Sequence, residues 1–122
     1  MTPEEMKRRI RAFALRCIKL ATSFPRGALG DTFRWQLIKA GSSAAANYRA
    51  ACVGRSRADF ISKLGIVEEE TDESVFWIDF SAEAGLVNPD RVQDLIREGQ
   101  EILAMIVSSR KTAKGRGARP KA

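Results

Sequence analysis

The sequence predicts an all-α protein, an antiparallel up-down-up-down four-helix bundle. Three observations carry this prediction. Apolar residues recur at three- and four-residue intervals through four long stretches, short runs bearing Gly or Pro separate those stretches, and no segment alternates apolar and polar residues as a strand would. At 122 residues the chain makes one domain, long enough to bury a core without a metal or disulfide staple.

Thr2 can cap the first helix, Pro3 suits its first turn, and Glu4 and Glu5 favour the positive end of the helix dipole. Met6, Ile10, Phe13, Cys17, Leu20 and Ala21 form its apolar stripe, and it ends near Thr22. Ser23–Asp31 holds one proline and two glycines and reads as a loop. The second helix carries the stripe Phe33, Leu37, Gly41, Ala44, Tyr48 and Ala51, and Gly54 closes it. Ser56 and Asp59, in the spacing of a capping box, open the third helix. Its stripe runs Phe60, Leu64, Val67, Thr71, Ser74, Val75, Ile78 and Ala82, and Gly85 stops it. Asn88, Pro89 and Asp90 start the fourth helix, with Val92, Leu95, Ile96, Gly99, Leu103 and Ile106 facing inward. Connections this short join neighbouring helices only if they run antiparallel. The bundle is expected to span residues 1–110, followed by a basic, disordered tail over 111–122 that has no apolar stripe to bury.

Gly41, Ala44, Ala45 and Ala51, with Gly99 in the fourth helix, let helix backbones approach closely. Asn47 is the polar exception among them and is expected to bond across to another helix or to a loop backbone, because a buried unpaired carboxamide is costly. Cys17 and Cys52 fall too far apart along a helical hairpin to form a disulfide and read as buried free thiols.

Charge is divided along the chain. Residues 1–57 hold 12 Lys and Arg against 3 Asp and Glu, residues 58–109 hold 3 against 12, and residues 110–122 hold 6 against none. A basic hairpin is thus joined to an acidic one, and only the tail supplies the net charge of +6. Between copies, that polarity favours a heterologous contact of the kind that closes into rings. Large apolar side chains point the same way. Trp35 lies opposite the stripe of its helix, beside Lys39, Arg49 and Val53, while Phe76 and Phe80 lie off the main stripe of theirs. Trp35, Arg49, Phe76 and Phe80 are therefore the candidates for a subunit interface.

Catalytic chemistry has no candidate. The chain contains no histidine, so the acidic run from Val67 to Trp77 lacks the partners of a ferritin-like metal site and reads as a solvated or interface face. No Gly-rich phosphate loop, nucleophile elbow or CxxC pair occurs, and no cofactor or metal is expected. The longest uncharged run, Ala40 to Tyr48, is far short of the ~20 apolar residues of a membrane span. The N-terminus has no apolar signal core, so a cytoplasmic protein is expected.

The block from Gln36 to Phe80 resembles the centre of the bacterial four-helix-bundle family that includes proteins encoded in intervening sequences of large-subunit ribosomal RNA genes. The likeness rests on Gln36 and Leu37, Ala46 and Asn47, Arg55 and Ser56 with Asp59 and Phe60, Leu64, and the series Glu70, Asp72, Glu73, Ser74, Trp77. Where many relatives carry an acid and a glycine after the small-residue stretch, this chain has Ala50 and Ala51. The resemblance implies a ring, typically a pentamer. It extends to the accessory protein of diversity-generating retroelements, whose basic ring binds nucleic acid and a reverse transcriptase.

The function expected is that of a non-catalytic, oligomeric accessory protein that binds RNA or DNA non-specifically. The alternative is a ring-forming structural or interaction module with no nucleic-acid role. Candidate nucleic-acid contacts are Lys7, Arg8, Arg9 and Arg11 on the first helix, then Arg110, Lys111, Lys114, Arg116, Arg119 and Lys121 towards the C-terminus.

Overall fold

A computed structural model describes residues 1–118, which form four helices: α1 (Pro3–Thr22), α2 (Ala28–Cys52), α3 (Arg57–Glu83) and α4 (Pro89–Ala118). Consecutive helices pack side by side as an antiparallel bundle, and α1 meets α4 over a smaller contact than any sequential pair. The four-helix bundle expected from the sequence is the fold observed.

Local chemistry sets the boundaries. At the start of α1, the Thr2 hydroxyl accepts from the Glu5 N–H at 3.1 Å and the Glu5 carboxylate accepts from the Thr2 N–H at 3.4 Å, a complete capping box. Ser56 caps α3 by accepting from the Asp59 N–H at 3.1 Å. The end of α3 is a Schellman turn: Gly85, at φ 83°, donates to the Ala82 carbonyl, and Leu86 donates to that of Ser81. Asn88 accepts from the Asp90 N–H at 2.9 Å to open α4.

Two boundaries differ from the sequence reading. Helix α2 begins at Ala28, so the loop expected to reach Asp31 is confined to Ser23–Gly27. Gly27, at φ 132°, turns the chain in one residue, and the Arg34 guanidinium donates to the Phe24 carbonyl at 2.7 Å and holds the short loop against α2. At the other end, α4 runs through Ala118, past the boundary expected at 110. Ala113 is buried on that extension, beside Pro3, Cys52 and Phe60, which gives the extra turns an apolar footing. Of the expected tail, residues 119–122 lie outside the described residues.

Met6, Ile10, Phe13, Cys17 and Leu20 of α1 meet Phe33, Leu37 and Tyr48 of α2, Leu64, Val67 and Ile78 of α3, and Val92, Leu95, Ile102 and Ile106 of α4 in one core. Ile102, missing from the expected stripe, is fully buried, whereas Leu103 is half-buried. The small residues do let backbones approach: a Cβ on Gly41 would stand 3.1 Å from Cys17 Cβ, and one on Gly99 would meet Val75 at 2.6 Å and Phe13 at 3.0 Å. Asn47 departs from expectation, since its carboxamide donates to the Ser43 carbonyl and hydroxyl at 2.9 and 3.1 Å and stays within its own helix. Being half-buried, it needs no partner across the bundle.

The two cysteines are free. Cys17 is fully buried, and burial pushes its thiol pKa up to about 12. Cys52, expected to be buried, is only half-buried because it closes the last turn of α2.

Candidate functional site

Among the described residues, no group of three or more Cys, Asp and Glu side chains could hold a metal ion. The interior is apolar side chains with Thr71, Ser74 and Ser81, of which Ser74 and Ser81 donate back to carbonyls of their own helix. What distinguishes this chain therefore lies on its outer faces.

The first face is the groove between α1 and α2. Ala14, Leu15, Ile18, Ser42, Ala45 and Ala46 line it, and Arg11 and Arg49 stand along it; the open volume is about 260 Å³. Small residues at Ala45 and Ala46 are what make this a groove rather than a filled seam. Leu15 and Trp35 are each 65 % exposed, and Val53 is 68 % exposed. Helical spacing sets Trp35, Ser42, Ala46 and Val53 along one line on the outside of α2, beside Lys39 and Arg49. The face is apolar with a basic border.

The second face is the outside of α3. Phe76 is half exposed and Phe80 is 40 % exposed, yet both are held in place. Phe80 stacks on buried Phe33 with centroids 5.2 Å apart, Phe76 meets Trp77 edge-on at 5.0 Å, and Trp77 meets Phe33 at 5.1 Å. The Trp77 indole N–H donates to the Glu73 carboxylate at 3.3 Å. Glu69, Asp72, Asp79 and Glu83 are exposed around the rings. Glu70, turned towards Lys39 and Ser43 of α2, has its pKa raised by burial and by neighbouring Glu73. This ridge is aromatic with an acidic border.

The four interface candidates thus divide between two faces, Trp35 and Arg49 on the first, Phe76 and Phe80 on the second. The candidate nucleic-acid contacts divide further. Arg8 is exposed, Lys7 pairs with Glu4 at 3.1 Å, and Arg11 belongs to the α1/α2 groove. Arg9 is committed to α4: its guanidinium grips Glu98 through two bonds of 2.8 and 2.7 Å and reaches Glu101 at 2.9 Å. The hydrogen bond to Glu98 raises the Arg9 pKa above its ordinary value and holds Glu98 below its own. Arg9 is therefore a clamp across the α1/α4 seam rather than a free surface cation.

Arg110 is likewise drawn in, pairing with Glu68 at 3.5 Å while its guanidinium lies over Gly65. Lys111 and Lys114 are exposed on α4, and Arg116 lies on the same helix. Arg119 and Lys121 fall outside the described residues. Two exposed cations outside the candidate nucleic-acid contacts, Arg55 and Arg57, stand at the turn between α2 and α3. The cavity shared by Arg57 and Ala113 brings that turn against the end of α4. Spacing within any one helix does not show this proximity; only the antiparallel path of the chain does.

Fold and surfaces define a class first: four-helix-bundle proteins whose distinctive chemistry is displayed outside the bundle. Within it, the chain matches the 23S rRNA-intervening sequence protein family over residues 4–108 and belongs to that family. It is similar to a protein of unknown function from the S23 ribosomal protein family of Bacteroides thetaiotaomicron, known from a crystal structure. The two share 25 % identity over 91 % of this chain and 99 % of that one, with a TM-score of 0.79. No curated protein matches the chain.

Proposed function

We propose that this is a non-catalytic cytoplasmic accessory protein that assembles with copies of itself and binds nucleic acid without sequence preference. The observation that supports self-assembly is the pair of unlike outer faces: an apolar groove bordered by Arg11 and Arg49, and an aromatic ridge bordered by acids. Exposed apolar side chains on two sides of one small bundle are costly unless covered, and opposite charge favours joining one face to the other. Such a contact is heterologous and closes into a ring when its rotation allows. Five subunits is the number the family resemblance implies.

Complementation tests the contact. Leu15→Glu damages the groove and Phe76→Glu damages the ridge, so each alone should give a monomer. A mixture retains one intact groove and one intact ridge and should form dimers. If one variant assembles normally while the other does not, the two faces do not meet each other. The nucleic-acid part of the reading rests on exposed basic surface and predicts copurifying nucleic acid that high salt removes. Commitment of Arg9 and Arg110 to internal ion pairs favours the second reading, a ring with no nucleic-acid role, and protein that purifies free of nucleic acid and fails to bind it would decide for that reading.

A further inference from the structure

The end of the bundle where α2 turns into α3 gathers the start of α1, the α2–α3 turn and the far end of α4. Pro3, Cys52, Gly54, Arg57, Phe60 and Ala113 line one open cavity of about 380 Å³ there. Two helix N-termini and two C-terminal ends meet at this pole, so the helix dipoles offset one another and side chains set its sign.

Three of the pole's acids have cation partners, and the fourth, Glu5, is held by a backbone N–H. Glu4 pairs with Lys7 at 3.1 Å, Glu5 closes the α1 capping box, Asp59 pairs with Lys63 at 3.6 Å, and Glu68 pairs with Arg110 at 3.5 Å. Arg55, Arg57, Lys111 and Lys114 remain, all exposed and without an ion pair among the described residues. They come from two elements far apart in the chain that the fold brings together, leaving uncompensated positive charge at one end.

We propose that this pole, with Arg55 and Arg57 from the α2–α3 turn and Lys111 and Lys114 from the α4 extension, is the surface that holds the phosphate backbone of nucleic acid. The inference rests on the nucleic-acid reading above and names its site. Backbone rather than base contact follows from the side chains present. The exposed rings, Trp35, Phe76 and Phe80, lie on the faces assigned to assembly, and Phe60 at the pole is half-buried under the cavity. Without a free aromatic ring to stack on bases, and with four exposed cations on long side chains, the pole is suited to reading backbone charge rather than sequence.

Fluorescence titration of the full chain with a 20-nucleotide single-stranded RNA and with duplex DNA of the same length, between 50 and 200 mM salt, tests the site. Removing two phosphate contacts in Arg55→Gln/Arg57→Gln should weaken binding and flatten the slope of log affinity against log salt by about 1 to 1.5 for the single strand. Lys111→Gln/Lys114→Gln should do the same. Arg16→Gln/Lys19→Gln, exposed on α1 away from the pole, should leave the slope unchanged, and circular dichroism checks that each variant keeps its helices. If the wild-type chain binds and the pole variants match it, or if the α1 variant weakens binding as much, the pole is not the site although the nucleic-acid reading stands. If the wild-type chain binds neither probe, that reading fails and the inference with it.

Discussion

Replacing Arg9 with Met should open the seam between α1 and α4. The substitution keeps most of the aliphatic stem and removes the guanidinium, which makes two bonds of 2.7 and 2.8 Å to Glu98 and one of 2.9 Å to Glu101. Hydrogen bonds between charged groups contribute about 1.5–3 kcal/mol when sheltered, and exposed ion pairs only about 0–1 kcal/mol. The Arg9 and Glu98 side chains are about three-quarters buried, whereas Glu101 is more than half exposed, so nearly all the loss comes from the Glu98 pair. Glu98 is also left largely buried without its cation. The expected cost is about 1–3 kcal/mol, which for a chain of this size lowers Tm by roughly 3–15 °C. Thermal unfolding followed at 222 nm measures it, and a double-mutant cycle with Glu98→Gln isolates the pair. A Tm for Arg9→Met within 1 °C of wild type, or no coupling in the cycle, would refute the account of Arg9 as a clamp.

Acid should act through the same pair. The Glu98 pKa is depressed in the folded state, so its contribution is complete above the unfolded value of about 4.3 and disappears as pH falls through the folded value; urea unfolding from pH 7 to pH 3 should show that loss in wild type and not in Glu98→Gln. Ala44→Leu should overpack the α2 seam by about 1–3 kcal/mol, read as a lower urea midpoint, because Ala44 is fully buried. A thiol reagent at pH 8 should modify Cys52 well before Cys17, with peptide mass spectrometry identifying the site; equal rates would contradict the burial of Cys17. Gly115→Ala has open space around it on α4 and should raise helix content by circular dichroism, whereas no change would argue against a helical extension.

Much of the fold was legible because it is written in local periodicity. Every residue of the stripes expected for α1 and α2 is buried, and Ser56, Gly85 and Asn88 act at helix ends where their side-chain chemistry or backbone freedom is needed. The misreadings arose where tertiary contacts decide. Ala28–Asp31 is helical because Gly27 turns the chain early and Arg34 pins the loop, and α4 continues beyond 110 because Ala113 finds apolar neighbours on three other segments. For the surfaces, the outward placement of Trp35, Phe76 and Phe80 follows from the 100° step of a helix. The diversion of Arg9 and Arg110 into ion pairs, and the cavity that Arg57 shares with Ala113 near the end of α4, depend on which helices become neighbours and in what register.

Self-assembly through unlike faces fixes the mass of the protein in solution. Multi-angle light scattering at micromolar concentration and about 150 mM salt should return a multiple of the 13.5 kDa chain mass, five-fold if closure follows the family resemblance, and Phe76→Glu should reduce it to a single chain. A wild-type mass of 13.5 kDa at every salt concentration would mean that the two faces do not join copies of the chain.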